Sequence, residues 1–114
     1  MTSKKRELEN RTEWFNKSGL LHRLDGPAVE WETKTKKWYQ NGILHRVGGP
    51  AIEWFDGSLQ WYLQGMRHRS DGPAIKWTHG EEEWFLNGDR LFSKEEWFKC
   101  LTIDQQIAYL FKME

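Results

Sequence analysis

Three histidines, His22, His45 and His68, recur at an interval of 23 residues, and each is followed by an arginine, Arg23, Arg46 or Arg69. Asp25 and Asp71 stand two residues after the first and third arginines, and Gly48 takes that place in the middle. Histidine, arginine and aspartate are residues of proton transfer, anion binding and metal ligation. A shared metal is excluded by distance. On stacked strands, equivalent positions two strands apart are separated by ~9.6 Å, whereas zinc ligands each sit ~2.0–2.1 Å from the ion. A histidine with the aspartate of its own repeat supplies only two ligands, so no metal and no cofactor is expected. Catalysis needs unlike groups converging on one point, and a repeat lays like groups in a line. Gly48 also leaves the middle copy without its acid, which suits a turn better than a reaction, because Asp and Gly both favour turns. No catalytic residue is expected. Instead each Arg pairs with Asp, or with Glu30 and Glu53 across strands. Each His packs near Trp and offers one hydrogen bond, and Gly26, Gly49 and Gly72 give backbone freedom before the proline.

The elements that must carry these residues follow from the same period. Trp31, Trp54 and Trp77 form one column; Trp38, Trp61 and Trp84 form another, which Trp14 begins; Pro27, Pro50 and Pro73 form a third. Each period holds two turn signals, Asn41-Gly42, Gln64-Gly65 or Asn87-Gly88, and Asp56-Gly57 or His79-Gly80. Such pairs between apolar runs mark hairpins, since both central residues of a type I′ turn need positive φ. Proline cannot donate to a ladder, so it marks a bulge or break within the longer strand. The fold expected is mainly β: an elongated, curved antiparallel meander of seven or eight strands. One or two short helices follow, because Ser93 with Glu96 and Thr102 with Gln105 form capping boxes. Ile103, Ile107, Leu110 and Phe111 then share a helical face. Residues 1–13 are a charged cap or arm, frayed or helical; 14–92 form the array; 93–114 form the helical cap.

Composition narrows the function. One domain is expected from 114 residues. Lys plus Arg balance Asp plus Glu at 17 each, so no overall field recruits nucleic acid or anionic membrane. No apolar run approaches the ~20 residues of a membrane span. The N-terminal stretch MTSKKRELENR lacks the apolar run of a signal peptide. Cys100 is the one cysteine; it is expected to be a small buried apolar residue in a reducing cytoplasm.

The unit W-Y-x-N-G-x-x-H-R-x-D-G-P-A-x-E-W resembles the MORN repeat, a 23-residue hairpin unit, in a divergent form seen in uncharacterised phage and giant-virus proteins. The match runs over residues 14–91. The resemblance implies a twisted, elongated antiparallel sheet with a binding or scaffolding role and no catalytic residues.

Strand alternation sends Trp38 and Tyr39, Trp61 and Tyr62, and Trp84 and Phe85 to opposite faces. A single sheet with a short helical tail cannot bury both, so one aromatic column is expected to stay partly exposed as an interaction surface. The candidate binding residues are these six with His22, His45, His68, Arg23, Arg46 and Arg69. The expected function is a non-enzymatic protein-binding module: a phage accessory protein that binds and inhibits or modulates a host protein such as a defence or transcription factor, in the host cytoplasm. The loops at 33–37, 56–60 and 79–83 run from basic to acidic, which would orient a partner or drive head-to-tail self-association. The alternative is a nucleic-acid or nucleotide binder that stacks bases on Trp and grips phosphates with Arg; zero net charge counts against it. No phosphate loop, nucleophile elbow or metal cluster appears to support an enzyme.

Overall fold

The structure is a computed structural model that describes residues 3–113. The first two residues of the expected N-terminal arm and the last of the helical cap lie outside the described residues.

Two kinds of turn shape the array. At 41–42, 64–65 and 87–88 both central residues have positive φ, from 49° at Asn41 to 86° at Gly88, as a type I′ hairpin requires. At 31–35, 54–58 and 77–81 the third loop residue, Lys34, Gly57 or Gly80, is left-handed, and the flanking backbone closes a three-residue loop: Trp54 N–H donates to Ser58 O at 2.9 Å and Gly57 N–H to Trp54 O at 3.0 Å.

Among the described residues, thirteen short strands result. They are β1 (Lys4–Glu7), β2 (Arg11–Phe15), β3 (Val29–Trp31), β4 (Lys36–Lys37), β5 (Tyr39–Gln40), β6 (Ile43–Leu44), β7 (Ile52–Glu53), β8 (Leu59–Gln60), β9 (Tyr62–Leu63), β10 (Met66–Arg67), β11 (Ile75–Lys76), β12 (Glu82–Leu86) and β13 (Asp89–Leu91). Nine form one antiparallel sheet in the order β1-β2-β3-β4-β7-β8-β11-β12-β13. The meander is as expected, but the seven or eight long strands are not. The chain leaves the main sheet at Trp38 and at Trp61 to form two small ribbons, β5-β6 and β9-β10. The Pro-Ala segment re-enters it, with Trp38 N–H donating to Ala51 O and Trp61 N–H to Ala74 O, both at 2.7 Å. The charged N-terminal segment is strand rather than helix or frayed arm: β1 pairs with β2 through Lys4↔Phe15 to Glu7↔Thr12.

The core is thin. Ala28, Ala51 and Ala74 have no exposed surface, and Val29, Ile52 and Ile75 lie beside them. The reverse face of the main sheet presents Glu30, Lys36 and Glu53 in cross-strand register, so opposite charges face each other there. The radius of gyration is 15.6 Å with extents of 44 × 31 × 25 Å, against roughly 13 Å for a sphere-like domain of this length. The array is therefore elongated.

Helices α1 (Lys94–Cys100) and α2 (Ile103–Met113) close its C-terminal end. Ser93 Oγ caps α1 by accepting from Glu96 N–H. Thr102 and Gln105 form a reciprocal box before α2. Trp97, Leu101 and Tyr109 are buried and pack against Trp84, Leu86 and Leu91. The apolar face of α2 is not the one that docks: Ile103, Ile107, Leu110 and Phe111 all face solvent. Cys100, expected buried, is exposed, because Trp97 and Leu101 fill the interior side of α1.

Trp97 joins both modules, donating its indole N–H to Arg69 O at 2.9 Å. Trp97→Ala is expected to cost about 3–5 kcal/mol, read as a lowered denaturant midpoint.

Candidate functional site

The recurrent His, Arg, Gly and Trp assemble into three equivalent cassettes. Each histidine sits one ribbon away from the turn that follows it. His22 Nδ1 accepts the N–H of Asn41, His45 Nδ1 that of Gln64 and His68 Nδ1 that of Asn87, at 2.9–3.0 Å. These three donors are the left-handed residues of the type I′ turns. An imidazole that accepts at Nδ1 is neutral and carries its proton on Nε2. The histidines therefore fasten one repeat to the next.

Each arginine sits over a tryptophan ring. The guanidinium carbon is 3.9 Å from the ring centre of Trp14 for Arg23, 3.9 Å from Trp38 for Arg46 and 3.8 Å from Trp61 for Arg69. Nη1 donates to the carbonyl of Pro27, Pro50 or Pro73 at 3.0–3.2 Å. The invariant-position glycine is needed for room rather than for φ. A Cβ on Gly26, Gly49 or Gly72 would come within 2.7–2.8 Å of the guanidinium carbon. The carboxylates vary. Asp25 takes Arg23 Nε and Asp71 takes Arg69 Nε, whereas Arg46, opposite Gly48, pairs with Glu53 at 3.2 Å. Trp84 ends its column without an arginine. Trp97 covers it instead, with ring centres 4.7 Å apart.

The aromatic columns are partly covered rather than bare. Trp38, Trp61 and Trp84 are half-buried under Arg46, Arg69 and Trp97, and Trp31 and Trp54 lie under Lys37. Tyr39 and Tyr62 are also half-buried, and burial raises the Tyr39 hydroxyl above the usual phenol range. Phe85 belongs to the core with Ala74 and Ile75, and His22 is buried. Among the described residues, no three of His, Cys, Asp and Glu gather as a metal-ligand set.

The open surface lies elsewhere. In the ribbons Gln40 opposes Ile43 and Leu63 opposes Met66, so each pair shares a face. Leu20 lies over Gly42, Ile43 over Gly65 and Met66 over Gly88, which sets these three side chains in a ladder. All three are about half exposed, at 45–46%. Two open grooves lie along the cassettes and take in Gln40 and Leu63, the cross-strand partners of Ile43 and Met66. One of about 570 Å³ is lined by Leu24, Pro27, Trp38, Gln40, Arg46 and Val47. The next, of about 430 Å³, is lined by Arg46, Gly48, Trp61, Leu63, Arg69 and Lys112, among others. Leu24 and Val47, at equivalent positions, are 61% and 79% exposed. The apolar positions 20, 43 and 66 were the missed signal: they follow each turn glycine by one residue, at the same period as the histidines. A second missed device is the pair of buried hydroxyls of Thr35 and Ser58. They accept from Phe55 and Thr78 N–H and link successive loops at the opposite edge.

No family model matches the chain, and neither a curated protein nor a solved structure does.

Gly72→Ala is expected to push Arg69 off Trp61 and cost about 1–3 kcal/mol, measured by urea unfolding against Gly80→Ala, where a Cβ meets nothing but the backbone is left-handed. A pH dependence follows from His68, whose burial lowers its pKa below the usual 6.5. The unfolded chain then binds the proton first, so stability is full above about pH 6.5 and falls as pH drops through the folded value. Thermal midpoints between pH 7.5 and 5 should decline in the parent and decline less in His68→Asn. Asp71 titrates lower: burial would raise its carboxyl, but the hydrogen bonds and charges of Arg69 and Lys112 outweigh it and hold the pKa below 3.8.

Proposed function

We propose that the protein is a non-enzymatic protein-binding module that grips its partner with the ladder of Leu20, Ile43 and Met66 and the grooves beside it. The carrying observation is that apolar side chains at one repeated position stand open to solvent on successive ribbons. A row of large apolar groups at a fixed step, rimmed by Arg and Gln, has the make-up of an interface core with a polar rim. The His, Arg and Trp side chains that would serve a reaction are engaged in holding the fold. The same engagement counts against gripping phosphates along the whole array, since Arg23 and Arg69 carry Trp, Pro carbonyl and loop carboxylate partners together.

The likeness of the repeat to MORN-like units of phage and giant-virus proteins supports a role as an accessory protein that holds and inhibits a host protein in the host cytoplasm. No helix among the described residues is long and apolar enough to cross a membrane.

Affinity capture from bacterial lysate, with Ile43→Asp, Met66→Asp and Ile107→Asp in parallel, tests this reading. A stoichiometric protein should be retained by the parent and by Ile107→Asp. It should bind at least about tenfold more weakly, ~1.4 kcal/mol, to the two ladder variants. Loss at Ile107→Asp alone would move the binding surface to α2, and salt-released nucleic acid in place of protein would overturn the reading.

A further inference from the structure

We propose that the middle repeat holds an unfilled carboxylate position at Arg46, and that it takes an Asp or Glu side chain of the protein partner. The proposal rests on the binding-face reading above and specifies the chemistry of what binds there.

The three cassettes are internal controls for one another. The guanidinium of Arg23, Arg46 and Arg69 is held in one pose: 3.8–3.9 Å above a tryptophan, against a glycine, with Nη1 on a proline carbonyl. In the first and third copies Nε donates to Asp25 at 3.1 Å and Asp71 at 2.8 Å. In the second, Gly48 stands where the acid would be, and Nε of Arg46 has no acceptor among the described residues. Glu53 bonds only Nη1, which leaves the Nε–Nη2 edge open, the edge that receives a carboxylate side-on with two parallel bonds. Loss of the acid is matched by greater exposure. The side chain of Arg46 is 31% exposed, against 22% for Arg23 and 14% for Arg69.

Position completes the site. Arg46 lines both grooves with Val47, and Leu63, the cross-strand partner of Met66, lines the second. Gly48 has a positive φ of 83°, and a Cβ there would meet nothing within 4 Å, so the space beside it is free. The matching ligand is an acidic side chain between apolar neighbours: the apolar groups take the ladder and the carboxylate replaces the missing aspartate. A carboxylate held on a pre-positioned arginine forms a charge-assisted bond without ordering the arginine first.

The test is nitrogen-15 NMR of the full chain, following the arginine Nε–H signals and the backbone amides. The probe is N-acetyl-Leu-Asp-Leu-amide, with N-acetyl-Leu-Asn-Leu-amide as its neutral control. The acidic peptide should shift the Arg46 Nε–H signal, leave those of Arg23 and Arg69 unmoved, and bind about tenfold more tightly than the control. Gly48→Asp, once the loop leaves its φ of 83° for the conformation of Asp25 and Asp71, supplies the acid internally and should abolish that preference. Asp25→Gly, at an exposed carboxylate, does not depend on Gly48→Asp folding. It should bring the Arg23 Nε–H signal into the titration and raise binding from one equivalent to two. An unmoved Arg46 signal, or equal binding of both peptides, would overturn the carboxylate position. If the Ile43 and Met66 amides then still respond to both peptides, the binding face stands without it. If Arg46 responds while Leu20, Ile43 and Met66 are silent, the carboxylate position stands and the apolar face falls.

Discussion

The guanidinium pressed between an indole and a glycine is the contact on which the array depends. Most strands here are two or three residues long, too short for a backbone ladder to hold unaided. The proline in each repeat also removes a donor where the chain re-enters the sheet. Arg23, Arg46 and Arg69 satisfy the proline carbonyl with a side-chain donor, while the cation covers a tryptophan that the single layer leaves uncovered. The histidines instead accept a backbone N–H of the next turn, and Thr35 and Ser58 accept one at the far edge. Side chain-to-backbone bonds thus take over the work that long strands do elsewhere.

That economy decides where the surface is free. Polar groups with roles inside the cassette are withdrawn from solvent chemistry. The position after each turn glycine has no such role, because the next ribbon presents a glycine beneath it. An apolar residue there covers its neighbour without being covered. The helices show how the same surface is finished when it is not left open. On the last repeat Trp97 takes the place of the arginine over Trp84, Leu86 and Leu91 turn inward, and the array ends.

Much of this was legible in the sequence. The period, both hairpin turns, the capping boxes at Ser93 and Thr102 and the pairing of Arg46 with Glu53 follow from local rules that read a few residues at a time. What escaped depends on contacts between repeats. The break at Trp38 and Trp61 into separate ribbons is displayed by no residue pattern along one strand. One aromatic column was expected to stay partly exposed; both Trp columns are half-buried, and what the sequence did not display is that Arg and Lys head groups provide the partial cover. Position 97 lies outside the period, so its service to Trp84 carried no repeat signal. Cys100 and the apolar face of α2 were misplaced for the same reason: the side of the helix that docks is fixed by Trp97.

Differences among the copies obey a charge rule that the shared residues conceal. The first arginine has two acids near it, Asp25 at 3.1 Å and Glu30 at 4.0 Å. The second has Glu53 and no loop acid, and the third has Asp71 with Lys76 where the strand acid stood. Every arginine therefore keeps at least one carboxylate, from the loop or from the strand, but not always on the same edge of the guanidinium. Either source satisfies the fold, because a cation half-withdrawn from water needs one counter-charge rather than a particular one. Folding does not dictate which edge is filled. In the second copy the strand acid leaves the outward edge vacant, and in the third the loop acid closes it and also draws in Lys112 from α2 at 3.2 Å. The repeats are thus equivalent as structure and unequal as surface, and the middle one is where a charged edge meets the open grooves.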